Sequence, residues 1–133
     1  MITLGLDIGG TKTAALVAGP DGRVLGEAAV ATDVSSPEAV VQSATTAAIE
    51  ALCNDGLSLT DVSAAGAGIP GQVDPASGTV RMAVNLNLFT PYKLGDALQD
   101  ALGVPVVLEN DVRVATLGAF EWLRSRESVT SLA

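Results

Sequence analysis

Residues 2 to 8, "ITLGLDI", are an almost unbroken apolar run with one acid near its end, the pattern of a buried strand. A second run follows at 13 to 19, "TAALVAG", and "PDG" at 20 to 22 turns the chain into a third, "RVLGEAAVAT". Three strands joined by short turns predict an antiparallel meander. The period then changes. Ser36 is placed to cap, Pro37 takes the first helical position, and Val41, Ala44, Ala48 and Leu52 recur on one face, which predicts a helix over 37–53.

After the polar turn "NDGLSLTD", the stretch "VSAAGAGI" from Val62 returns to strand, and "GQVDPASGTV" reads as a loop or wide hairpin around Pro75 and Gly78. "KLGDALQDALG" predicts a short helix ending at Gly103, and "VPVVLEN" another strand. Asn110 or Asp111 then caps a last helix whose Val112, Ala115, Ala119 and Leu123 share a face. The order β-β-β-α-β-(β)-α-β-α predicts an α/β fold, one mixed sheet with helices on both faces. Right-handed crossovers would bring the carboxyl ends of the first strand and of "VPVVLEN" to one edge, so that Asp7, the glycine turn and Asp111 face one cleft. The chain shows no internal repeat, linker or low-complexity segment.

Composition narrows the partners. The 133 residues make one domain of ordinary size, able to bury roughly two-thirds of the surface of the unfolded chain. With 48% hydrophobic but only 3% aromatic residues, the core is built from Ala, Val, Leu and Ile. A formal charge of −8, without a cluster of Lys or Arg, argues against nucleic acid or an anionic membrane as partner. Histidine is absent and Cys53 stands alone, which excludes a disulfide framework, a Cys/His zinc site within these residues and a His-dependent triad. Cys53 is expected to be a buried thiol on its helix. Apolar runs too short for a membrane span and an N-terminus without signal-peptide features lead to the expectation of a cytoplasmic protein.

Two glycine patterns invite misreading. "GAGIPG", residues 66 to 71, has the letters G-x-G-x-x-G, but Pro70 and Pro75 follow where a helix must open, and no acid stands at a strand end about 20 residues on. "GGTKT" lacks the four residues that a Walker A loop places between its glycines. In "DIGGTKT" the N–H groups of Gly9, Gly10 and Thr11 can converge on an anion, with the Thr11 hydroxyl and the Lys12 charge beside it. Asp7 can hold Mg²⁺ through water. The plainer alternatives are a tight hairpin turn and a carboxylate bonded to the turn's own amides. "ENDV", residues 109 to 112, is the other polar cluster. It is either a helix cap, or Asn110 and Asp111 gripping adjacent hydroxyls with Asp111 as proton acceptor. Asn85 in "AVNLNLF" either joins them or satisfies its own loop.

Four motifs in order, "LDIGGTKTAALV", "GAGIPGQVDPASGTV", "AVNLNL" and "GVPVVLENDVRVATLGA", make the sequence resemble the ROK family of bacterial sugar kinases and sugar-responsive repressors over residues 2 to about 124. The resemblance implies the ribonuclease H-like, actin-like fold of hexokinases and acetate kinase, in which two lobes close on ATP. It implies that Gly9, Gly10, Thr11 and Lys12 surround the ATP phosphates with Asp7 near the metal. It also implies that Gly68, Pro70 and Gly71 shape the sugar pocket, that Asn85 and Asn110 bind sugar hydroxyls, and that Asp111 contacts the sugar as catalytic base.

ROK kinases are about twice this length, and residues 1 to 133 are therefore expected to be the N-terminal lobe alone. A Gly-Thr-Gly phosphate loop, further sugar ligands, the adenosine site and any structural zinc would lie in the second lobe. The expected activity, for the full-length parent, is transfer of the γ-phosphate of ATP to a hexose hydroxyl, O6 of glucose or a related sugar. The isolated lobe would be inactive and would expose apolar surface. The resemblance further implies a homo-oligomeric parent. The rival readings are a sugar-sensing repressor, for which a start at Ile2 leaves no room for a helix-turn-helix, and a sugar-independent ATPase, which has no need of Asn110 and Asp111.

Overall fold

The computed structural model describes residues 1–111 and 115–116. Strands β1 (Ile2–Ile8), β2 (Lys12–Ala18) and β3 (Val24–Ala31) form the expected antiparallel meander. Helix α1 (Pro37–Cys53) leads to β4 (Val62–Gly68), which pairs parallel with β1. A small hairpin of β5 (Gln72–Asp74) and β6 (Thr79–Met82) follows, then a single 3-10 turn at Val84–Leu86. Helix α2 (Leu94–Leu102) follows, then β7 (Val106–Glu109), parallel to β4, so that the described residues form a five-stranded sheet of order β3-β2-β1-β4-β7.

Alternation in β1 sorts the two faces. Leu4, Leu6 and Ile8 point to one side with Thr13, Ala15 and Val17 of β2 and Ala65 and Ala67 of β4, and all of these are buried. Helix α1 covers them with Val40, Ala44, Ala47, Ala48, Ala51 and Leu52, and α2 adds Leu94, Leu98 and Leu102. Each fully buried leucine contributes about 1.5–3 kcal/mol from area removed from water. The cap is formed as the sequence predicts, with Ser36 Oγ accepting the Ala39 N–H at 3.0 Å and Pro37 opening the helix.

Among the described residues, α1 and α2 both lie on that one face. The other face, carrying Thr3, Gly5, Asp7 and Gly66, is met at Ala115 and Thr116: a Cβ at Gly66 would run into the Ala115 carbonyl, so only glycine fits. The Ala115 N–H donates to the Asp111 carbonyl at 3.0 Å, which puts Asp111 at the head of a helical turn. Val112, Ala119, Leu123 and residues 129–133 lie outside the described residues.

Several expectations shift. Strand β7 begins after Pro105, which cannot donate to the ladder and offers only its carbonyl, to the Ala65 N–H at 2.9 Å. Residues 72 to 82 form the wide hairpin. Cys53 is exposed, contrary to expectation, because Leu52 points into the core and the next helical residue sits about 100° further round. Among the described residues no helix is long and apolar enough to cross a membrane.

Candidate functional site

The carboxyl ends of β1, β4 and β7 meet at one edge. Register places Asp7 opposite Gly68 and Gly68 opposite Glu109, so these three residues form a row across the parallel strands. Just beyond it lie the hairpin Gly9–Thr11, the loop starting at Ile69, and Asn110 with Asp111. The Ile69 N–H donates to the Glu109 carbonyl at 2.9 Å, so Pro70 and Gly71 depart beside Asn110. Asp7, Lys12, Asn110 and Asp111 are all exposed at this edge, whereas Gly68 is buried within it.

The hairpin turn differs in detail from a cradle of three free amides. The Gly9 N–H donates to the Lys12 carbonyl at 3.0 Å and closes the turn, so it is not an anion donor. The amides of Gly10 and Thr11 have no backbone partner among the described residues. Beneath them the turn is braced: the Thr32 N–H donates to the Thr11 carbonyl at 2.9 Å, and the Thr13 and Thr32 hydroxyls share a hydrogen bond of 2.7 Å. Lys12 belongs to β2 and pairs with Ala31.

Among the described residues two concavities open here. One, of about 430 Å³, lies on the Gly5 face and is lined by Asp7, Lys12, Ala14, Leu16, Glu27 and Ala29. The other, of about 350 Å³, is lined by Pro70, Gly71, Gln72, Met82, Val84 and Asn85. Pro70, Gly71 and Asn85 were expected together on the sugar side, and they share this second hollow. Asn85 sits on the 3-10 turn rather than in an irregular loop, and it lies against Gly10 of the hairpin. Met82 and Val84, which line the second hollow, and Phe89 a few residues on are exposed apolar residues; Val84 shows 63% of its surface.

Sequence reasoning missed Glu27 and assigned nothing to Glu109. The alternation of β3 could have put Glu27 on the face of Ala29 and Ala31, but its pairing with Leu16, which sets it in the row of Gly5 and in the same hollow as Asp7, is a matter of register. Carboxylates dominate the edge, and among the described residues lining the first hollow Lys12 is the basic group. No group of three or more Asp, Glu or Cys residues suited to a metal gathers among the described residues. One exposed carboxylate, Asp7, suits Mg²⁺, which keeps most of its water and relies on one or two carboxylates plus phosphate oxygens.

Known proteins resemble this chain in sequence and in fold. A glucokinase of Streptomyces coelicolor is 33% identical over 121 residues, 91% of this chain and 36% of its own length. Among solved structures, a ROK hexokinase from Thermus thermophilus matches with a TM-score of 0.72 and 34% identity, over 82% of this chain and 35% of that one. A ROK family glucokinase from Streptomyces griseus, solved with glucose and AMPPNP, matches with a TM-score of 0.71 and 38% identity, over 83% of this chain and 33% of that one. The chain thus spans about a third of the length of these relatives. The ROK family profile matches residues 3–133, and with the actin-like sheet order and the polar edge described above, the chain belongs to the ROK family.

Proposed function

We propose that residues 1 to 133 are the N-terminal lobe of an ATP-dependent hexose kinase, whose substrate is glucose or a related sugar phosphorylated at O6. The observation that carries this reading is the gathering of the hairpin, the Pro70–Gly71 loop and Asn110–Asp111 at one edge of the sheet. Relatives named glucokinase, one of them solved with glucose and AMPPNP, support it.

On this reading the Gly10 and Thr11 amides and the Lys12 ammonium bind the phosphates of ATP, with Gly9 closing the turn that presents them. Asp7 holds Mg²⁺ through water, an ion that neutralises charge on the phosphates. Gly68, Pro70 and Gly71 shape the sugar side, and Asn85 and Asn110 accept and donate hydrogen bonds to sugar hydroxyls. Asp111, at the head of its helical turn, takes the proton from the attacking hydroxyl. Phosphoryl transfer relies on positioning and charge stabilisation across a closed cleft, so the lobe alone is inactive. The exposed Met82, Val84 and Phe89 agree with a surface that a further part of the protein covers.

The test is a hexose panel with coupled ADP detection on the full-length protein. Sugar-dependent ADP release, strongest with glucose or a close relative, is expected. ATP hydrolysis of the same efficiency without sugar would replace the reading by that of a sugar-independent ATPase, and sugar binding without turnover by that of a sugar sensor.

A further inference from the structure

The segment Met82–Asn85, which leads into and forms the 3-10 turn, touches both loops of the candidate site through backbone. A Cβ built on Gly10 would lie 2.9 Å from Asn85 Cβ and 3.1 Å from its carbonyl carbon, and would collide with the Asn85 carbonyl oxygen. A Cβ built on Gly71, whose φ is 152°, would lie 3.0 Å from both Cα and Cβ of Ala83 and would collide with the Met82 carbonyl. The turn cannot retreat freely. The Ala83 carbonyl accepts the N–H groups of Leu86 and Leu88, both at 3.0 Å, and the Ala83 amide donates back to the Leu88 carbonyl at 2.9 Å. Leu86 and Leu88 are buried, and the Asn87 side-chain amide donates to the Val34 carbonyl at 3.4 Å.

From this packing we infer that Gly10 is a positioning residue for the sugar side: its missing side chain lets the phosphate hairpin seat the turn that carries Asn85, so that the two halves of the substrate site are set by one contact. The inference rests on the kinase reading for its functional consequence, whereas the contact itself does not. A glycine needed only for close approach of phosphate would leave sugar binding untouched when replaced. A glycine that seats Asn85 would not. Adding a methyl group at residue 10 must push one backbone segment away from the other, and a displacement of this order in a positioning group costs up to about a hundredfold in ligand handling.

The experiment compares wild type and Gly10→Ala in the full-length protein, with two readouts. Glucose binding is measured by calorimetry without nucleotide, and amide hydrogen exchange is followed at Leu86 and Leu88, with the amides of α1 as internal reference. Gly10→Ala is expected to weaken glucose binding about tenfold or more and to speed exchange at Leu86 and Leu88 selectively. Unchanged glucose affinity with ATP use impaired would overturn the inference and leave the kinase reading intact. A wild type that binds no hexose would sink the kinase reading, and the exchange readout would then decide the contact by itself, equal rates overturning it. Should Gly10→Ala not fold, wild type reports directly: Mg·AMPPNP added without sugar should slow exchange at Leu86 and Leu88, and no change would overturn the coupling.

Discussion

Asp7 and Glu109 flank Gly68 in one row across three parallel strands, each in register with that glycine from its own side. Two strand spacings set the acids about 10 Å apart, so neither repels the other strongly in water, and the gap between them is floored by a residue without a side chain. An acidic edge with a bare centre needs cations to receive a polyanion. Lys12 and an ion held by Asp7 would supply them.

Replacing Asp111 by Asn in the full-length protein should lower kcat by about 10³-fold while leaving hexose affinity within about threefold, because an amide keeps the hydrogen-bonding shape but cannot take the proton. Coupled ADP detection and calorimetry measure the two quantities. A variant that keeps most of its turnover would remove Asp111 from the chemistry.

Asp7→Asn should raise the Mg²⁺ concentration for half-maximal rate about tenfold, with hexose KM little changed. Asp7 is exposed, so the substitution leaves no buried group stranded. An Mg²⁺ titration at fixed ATP checks this, and an unaltered midpoint would place the metal elsewhere.

Leu98→Ala should destabilise the fold by about 2–5 kcal/mol, since the side chain is fully buried where α2 packs on the core and the cavity it leaves cannot collapse completely. Urea unfolding of this chain should show a lower midpoint at unchanged slope. A loss below about 1 kcal/mol would mean that α2 is not packed as described.

The Ser35 side chain and then the Ser35 amide, which donates to Asp33 Oδ1 at 3.0 Å, hold the Asp33 carboxyl below the ordinary aspartate value. A lowered folded-state pKa means that this contribution is present above the unfolded-state pKa and is lost as pH falls through the lowered one. Carboxyl-carbon NMR should therefore show Asp33 titrating at lower pH in the folded chain than in urea, and Ser35→Ala should bring the two closer.

The meander, α1 with its Ser36 cap, the short α2 and the parallel return strands were legible in sequence, because period, capping residues and Pro or Gly breaks are local properties. So were the polar breaks at Asp7, Gly9–Lys12 and Asn110–Asp111, which interrupt otherwise apolar strand ends. What sequence could not fix depends on residues far apart in the chain. The pairing of Asp7, Gly68 and Glu109 is a register between strands separated by helices. The loss of the Gly9 amide to the Lys12 carbonyl is a detail of turn geometry. The seating of Asn85 on Gly10 joins segments some 75 residues apart, and the exposure of Cys53 follows from how α1 is rotated on the sheet. Local propensity selects the elements; packing and register, which sum contacts over the whole chain, select what faces what.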